Sequence, residues 1–284
     1  MESSDQGNND EFVDVNNIPY PSASSYEFIP ADRISGSGES AQRNIFGTHF
    51  EKCFDLSAFE LDRIDHFNRL VSNDTGIVLD ENYQETQHLR FLQGCGWNAE
   101  LARNSLKEYI VWKKTHNNLN FKPAASHPIV YWYGKDKCLR PILIIRCKEI
   151  AKLSVDSQTL RQSLSELLVK HMSFFVDHLT VPDHVEQLVV IVDLDGFSLW
   201  DTPFGEIQEL IRKLASYFRS RLNKVFLINT PILFYGIWAA IKGFIPTRTV
   251  SKIDILGGEY MSCLLHFINH EELCPLLNTT THYT

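Results

Sequence analysis

Asp193 and Asp195 stand two residues apart at the end of an apolar run, VVIVDLDGFS, with Gly196 behind them. Two carboxylates at a strand end can divide the roles of nucleophile and magnesium ligand in phosphoryl transfer. That chemistry needs further acids from a later strand to close the metal site. Downstream lie Asp201, Glu206, Glu209, Asp254, Glu259, Glu271 and Glu272, none of them in a paired strand-end Asp-Asp, and Asp254 falls inside an apolar strand pattern. Phe197 follows the glycine where the motif needs a small hydroxyl residue. A turn-forming Asp-Gly is the reading these residues favour. A magnesium-dependent phosphatase using Asp193 and Asp195 is kept as the alternative.

The other reactive side chains lead no further. His171 and His178 are two helical turns apart, where a metal pair uses one turn, and His184 sits in the following loop. Gly134-Lys135 lacks the upstream glycine and downstream hydroxyl of a phosphate loop, and no nucleophile elbow is present. The six cysteines (Cys53, Cys95, Cys138, Cys147, Cys263, Cys274) show no metal spacing and read as free thiols of a reducing compartment. No catalytic residue, metal site or cofactor is assigned. The residues favour binding over catalysis.

The chain of 284 residues carries a net charge of −8, unevenly distributed. Residues 1–45 hold eight acids against two bases and little apolar periodicity, which predicts a disordered acidic tail with scope for a protein partner. The near-neutral remainder has no basic stripe, so nucleic acid is not an expected partner. The opening MESSDQGNNDE is neither a secretory signal nor a presequence, and the expected location is cytoplasmic.

Apolar spacing predicts the elements that position any site. Phe59, Ile64, Phe67 and Leu70 mark a first helix, residues 87–94 a short second, and residues 98–116 a third capped by Asn98. Residues 141–145 and 188–192 read as strands flanking a long helix marked by Leu160, Leu164, Leu168, Met172, Phe175 and Leu179. Thr202-Pro203 reads as the cap of a helix carrying Ile207, Leu210, Ile211, Leu214 and Phe218, followed by strands at 224–229 and 252–256. The alternation predicts an α/β fold: an N-terminal helical subdomain, then a mixed, mostly parallel sheet flanked by helices. The expected divisions are residues 1–45, 46–120, 121–276 and a short tail at 277–284.

Residues 232–245 are the odd element. Eleven of the fourteen are apolar, the others being Gly236, Lys242 and Gly243. A helix apolar all round belongs either in a core or beneath a partner, membrane or bound lipid, and composition leaves both open. Together with the preceding strand the run reaches 21 residues, but Asn229-Thr230-Pro231 breaks it, which argues against a transmembrane span.

Four stretches together resemble the CRAL-TRIO lipid-binding family, whose members include phosphatidylinositol/phosphatidylcholine transfer proteins and tocopherol- and retinaldehyde-binding proteins. HLRFLQGCGWNAELARNSLKEYIVWKK resembles its N-terminal helical segment, and GKDKCLRPILIIR its G-x-D-x-x-G-R-P approach to a strand. VVIVDLDGFSL resembles its apolar strand with D-x-x-G. FLINTPILFYGIWAAIKGFIPTRTVSKIDILG resembles the I-N-x-P turn, the mobile gate helix and the K-I strand. The likeness runs in order from about residue 55 to residue 274.

The resemblance implies a single lipid enclosed in a hydrophobic cavity and carried between membranes without covalent chemistry, phosphatidylinositol first among candidates. Leaving an acyl chain of about sixteen carbons in water costs on the order of 12 kcal/mol, so a carrier must enclose it and open only at a bilayer. The gate would carry Phe234, Ile237, Trp238, Ile241 and Phe244, with Gly236 and Gly243 permitting close packing or bending. Val189, Ile191, Phe226, Ile228, Ile253 and Ile255 would line the cavity. Head-group contacts would fall to Arg221 and Lys252, with Thr249 and Ser220 beside them. Expected partners are therefore a phospholipid or other hydrophobic ligand and, transiently, a membrane surface.

This chain departs from the family pattern in places. Ser220 replaces the inositol-contacting Glu, and Gln93 and Cys95 replace early basic residues. Val189 and Ile191 occupy positions read as those of the choline-phosphate hydroxyls, and Leu277-Asn278-Thr279 replaces a closing Gly-Gly. These departures keep a sterol- or tocopherol-like ligand open as the alternative cargo.

Overall fold

The computed structural model describes residues 57–79, 86–116, 121–123, 129–148, 157–181, 185–197 and 204–277. The acidic tail, His184 and the Thr202-Pro203 cap lie outside them. Three helices come first: α1 (Ala58–Asn73), α2 (Thr86–Gly94) and α3 (Ala99–Thr115). A capping box opens α1, with the Ser57 hydroxyl accepting from the Glu60 amide at 3.2 Å and Glu60 accepting from the Ser57 amide at 2.8 Å. Asn98 caps α3 by accepting the Leu101 amide at 3.0 Å. Phe67, Phe91, Leu92, Trp97, Leu106 and Tyr109 close these three helices around one core.

The sheet has five strands in sequence order: β1 (Val130–Lys135), β2 (Pro141–Arg146), β3 (Leu188–Asp193), β4 (Leu222–Ile228) and β5 (Ile253–Ile255). β1 and β2 form an antiparallel hairpin, and the remaining pairs are parallel. Asp136 builds the hairpin turn by accepting the Cys138 and Arg140 amides at 2.9 and 2.8 Å. That gives the G-x-D-x-x-x-R-P stretch a structural reason.

Each parallel step needs a crossover helix. These are α4 (Ser157–Phe174, continuing through a π-helical turn, Phe175–Leu179), α5 (Phe204–Tyr217) and α6 (Phe234–Ile241) with α7 (Thr247–Val250). Because the strands advance in one direction and such crossovers are right-handed, all of these helices fall on one face of the sheet. The other face is left for α8 (Met261–Phe267) and α9 (His270–Leu277), which bring Leu264 and Leu273 onto it. The helical subdomain docks through Trp112, stacked on Tyr217 of α5 with ring centroids 4.3 Å apart.

β1, α8 and α9 are absent from the sequence reading. β1 is buried on successive residues, so it shows no alternation, and α8 spans only seven residues, too few to display a helical period.

Candidate functional site

Strand alternation divides the expected cavity residues between two faces. Val189, Ile191, Phe226 and Ile228 point away from α6 and pack with Tyr260, Leu264, Ile268 and Leu273 in a filled core. Ile253 and Ile255 point the other way, with Val192, Val225 and Leu227, toward Phe234 and Trp238 of α6. The lining on β3 is therefore displaced by one residue from the expectation, because a one-residue shift along a strand changes its face. Val190, next along this face, pairs with Val225 across the strands.

The α6 side of the sheet is unevenly filled. Over β1 and β2, α4 brings Met172, Phe174, Phe175 and Leu179 into close packing with Trp132 and Leu143. Beneath α6, by contrast, Val192, Val225, Ile253 and Ile255 are only half-buried, whereas Val190 packs against the α4 core. These aliphatic side chains, on β3, β4 and the edge strand β5, meet α6 and yet stay accessible, so this face is less closely packed than the one under α4.

The gate element is shorter than the fourteen residues expected of it. Pro231 begins a turn, α6 runs from Phe234 to Ile241, and the chain tightens into a 3₁₀ turn at Lys242–Phe244. Phe234 and Ile241 are buried, and Ile237 and Trp238 half-buried. Outside, Ile232 is 87% exposed, Leu233 70%, Tyr235 53% and Phe244 43%. A fully buried core helix is thereby excluded. Gly236 and Gly243 have no atom within 4 Å of where a Cβ would stand, so neither serves a close approach.

The two ends of this crossover differ. At its start Asn229 adopts the left-handed conformation (φ 51°) and donates to Asp193 Oδ1 at 2.9 Å. The same oxygen accepts the Asp195 amide at 3.0 Å, and Lys148 binds Asp195 at 2.9 Å. Gly196 (φ 72°) brings its position within 3.1 Å of Lys148 Cα, where a side chain would clash. The D-x-D-G segment is thus a turn that secures the start of the crossover. Among the described residues no group of three His, Cys, Asp or Glu side chains could hold a metal ion. His171 is buried between the rings of Phe121 and Trp132.

The far end meets a cluster of cations at the N-terminal edge of the parallel strands. Glu186 accepts from Arg221 at 3.0 Å and from Arg90 in a short contact. Arg140 pairs with Asp136 at 2.8 Å and donates to Asn223 at 3.0 Å. Ser220, held at φ 56°, turns its carbonyl to Arg90 and to Gln187 at 3.0 and 3.1 Å. Its hydroxyl reaches Gln93 at 3.4 Å. Lys252 Nζ donates to the Leu222 carbonyl at 2.5 Å, and its amide bonds the Thr249 carbonyl at 3.0 Å. Arg248 of α7 donates to the Gln93 carbonyl at 3.3 Å.

Burial and crowding weaken these charges. Desolvation first, then Arg248, Arg140 and Arg90, push the Lys252 ammonium down to about 8. Arg90 falls to about 9 through burial and the neighbouring Arg221, against the pull of Glu186. Sequence reasoning named Arg221, Lys252, Thr249 and Ser220 but not Arg90, Arg140, Glu186 or Arg248. Arg90 and Arg140 lie within the quoted motifs, and Arg248 stands one helical turn before Lys252, so spacing offered a signal for each.

Comparison with known proteins places the chain. Residues 125–275 match the family described as CRAL/TRIO domain. The chain is 28% identical over 197 residues to phosphatidylinositol/phosphatidylcholine transfer protein SFH12 of Arabidopsis thaliana, covering 64% of this chain and 34% of that protein. It is also 28% identical over 215 residues to SEC14 cytosolic factor of Yarrowia lipolytica, covering 66% and 43%. It thus spans less than half the length of either relative. The fold is similar to the crystal structure of Sfh5 (TM-score 0.56, 12% identity), covering 75% of this chain and 85% of that one. No described helix is long and apolar enough to cross a membrane.

Proposed function

The chain belongs to the CRAL/TRIO domain family of lipid-binding and lipid-transfer proteins, and from that premise we propose that it encloses one phospholipid, phosphatidylinositol first, and moves it between membranes. The single observation that carries this reading is the half-buried aliphatic row Val192, Val225, Ile253 and Ile255 beneath α6. The acyl chains occupy that space. The head group lies at the strand edge, where Lys252 immediately precedes Ile253, with Arg221, Ser220 and Thr249 around it.

The outer side of the α6 segment then acquires a use. Ile232, Leu233, Tyr235 and Phe244 lie flat on a bilayer when the gate opens, and Phe234, Ile237, Trp238 and Ile241 cover the cargo when it shuts. Membrane contact is peripheral and transient, from the cytoplasmic side. Arg221 is braced by Glu186 and supports the site from behind, while Lys252 is the cation placed to meet the ligand. A sterol- or tocopherol-like cargo is the second reading, favoured by the apolar Val192 that β3 presents beneath α6.

Native mass spectrometry after incubation with mixed liposomes tests this directly, with Lys252→Ala alongside. Bound phosphatidylinositol that is lost in the variant supports both cavity and head-group site. A neutral hydrophobic ligand indifferent to Lys252 selects the second reading. Absence of any bound lipid overturns the proposal.

A further inference from the structure

Charge is laid out along the chain in blocks. Residues 210–253 hold eight Lys and Arg residues and no acid. Several of these cations are engaged by carboxylates from outside the block: Arg212 and Lys213 by Glu209, Arg221 by Glu186 and Lys224 by Asp254. Lys242 and Arg248 instead stand exposed on the gate segment itself, in the same stretch as the exposed Ile232, Leu233, Tyr235 and Phe244. The outer surface of the gate is therefore apolar and cationic, with no carboxylate of its own. Away from a bilayer, an apolar surface of this kind is unfavourable in water and calls for another cover.

Residues 10–32, outside the described residues, have the complementary composition. Five acids (Asp10, Glu11, Asp14, Glu27 and Asp32) and no base are interspersed with Phe12, Val13, Ile18, Tyr20, Tyr26 and Phe28. Such a segment offers the gate what an anionic bilayer offers, apolar groups to bury beside negative charge. Residues 33–56 join it to Ser57, the cap of α1, and these 24 residues can span up to about 80 Å. A domain of this size is only about 45 Å across, so the gate lies within reach. Tethering also sets an effective concentration on the order of 1 mM. A contact with a dissociation constant of about 0.1 mM, negligible between separate molecules at micromolar concentration, is then closed roughly nine-tenths of the time.

We propose that residues 10–32 lie over the outer face of the gate segment while the protein is away from a membrane, and that a bilayer displaces them. This rests on the lipid-transfer reading above. The aromatic side chains cover Ile232, Leu233, Tyr235 and Phe244, and the acids meet Lys242 and Arg248. The segment is an autoinhibitory strap: it keeps the apolar gate out of water and holds back docking until a bilayer takes its place.

The test uses the full chain with a photoreactive benzophenone side chain in place of Tyr20, irradiated at low micromolar concentration with and without vesicles of neutral phosphatidylcholine. Mass spectrometry of the digested monomer locates the cross-links. The expected result is attachment within residues 232–248 that is lost when vesicles are present. Association with the same vesicles is then followed in two further variants. One carries Asp10→Asn, Glu11→Gln, Asp14→Asn, Glu27→Gln and Asp32→Asn; the other carries Phe12→Ser, Tyr20→Ser, Tyr26→Ser and Phe28→Ser. Both should associate about tenfold faster, the factor by which the closed strap withholds the gate. Neutral vesicles remove any repulsion between the acids and the membrane, and the serine variant keeps every charge, so a tail acting by charge alone would leave the second rate unchanged. Cross-links elsewhere, none at all, or cross-links confined to dimers, where a second copy supplies the tail, overturn the inference. If lipid transfer proceeds normally in that case, the transfer reading stands. Cross-links to the gate that vesicles fail to displace support the docking but overturn its displacement, and with it the gate's membrane role.

Discussion

Asn229 donates to Asp193 Oδ1 at 2.9 Å, tying the start of the gate crossover to the end of the central strand. The same residue holds φ at 51°, a conformation that costs most residues about 1–2 kcal/mol. The left-handed turn into α6 and its anchor to β3 therefore reside in one residue. Asn229→Gly removes the side-chain hydrogen bonds to Asp193 and Tyr260 without backbone strain and should cost about 1–2 kcal/mol. Asn229→Ala adds backbone strain and should cost about 1–2 kcal/mol more than the glycine variant. Urea denaturation of the pair checks the order, and an alanine variant as stable as the glycine variant would contradict it.

Val192 and Val189 lie on opposite faces of β3. Val192→Trp should fill space beneath α6, abolishing lipid uptake with little loss of stability. Val189→Trp overpacks a core position that is 1% exposed, at roughly 1–3 kcal/mol or more. Thermal unfolding and lipid uptake, measured on both variants, should separate in this crossed manner.

Ile232 and Leu233 are the most exposed large apolar side chains of the gate segment. Replacing both by Ser removes apolar area available for burial in a bilayer, each side chain being worth roughly 1.5–3 kcal/mol if fully inserted. Transfer between vesicles should slow by at least about tenfold, because partial insertion still amounts to more than 1.4 kcal/mol. The melting temperature should not change, since neither residue packs in the core. Unaltered transfer would separate this edge from membrane contact.

Glu186 is the shared partner of Arg90 and Arg221. Glu186→Gln leaves two buried guanidiniums facing a neutral amide, and losing one partner of a buried ion pair typically costs about 3–5 kcal/mol. Denaturant titration should show a loss of that order. A loss below about 1 kcal/mol, the value of an exposed pair, would mean that water reaches the cluster.

Lys252 titrates at about 8 in the fold against its ordinary 10.5. Between those values the unfolded chain holds a proton that the folded chain lacks, so stability climbs as pH rises from about 8 toward 10.5. Below about 8 the charged lysine's penalty is present in full. Lys252→Met should accordingly stabilise the ligand-free protein at neutral pH and lose that advantage in alkali. An anionic ligand restores the proton, so its binding should weaken as pH rises above about 8. Melting curves against pH, with and without phosphatidylinositol vesicles, read both effects.

Much of the architecture was legible in the linear chain because it rests on local rules. Asn98 announced α3, the apolar runs announced β2 to β5, and the break at Asn229-Thr230-Pro231 separated strand from gate. The composition of residues 232–245 left a core helix and a helix beneath an apolar ligand or membrane both open. β1, α8 and α9 escaped notice, being too short or too evenly buried to carry a period.

The sequence by itself determined that strands alternate with helices, that an apolar helix crosses between the last two strands, and that Lys252 and Arg221 precede strands. Each of these follows from neighbours along the chain. The face on which Val189 or Val190 lies was decided only by tertiary structure, because α8 and α9 cover one side of the sheet and α6 the other. Pairing within the cation cluster was decided there too. Arg90, Arg140, Arg221, Arg248 and Lys252 come from four separate segments, and only strand pairing and helix docking bring their charges within range of one another.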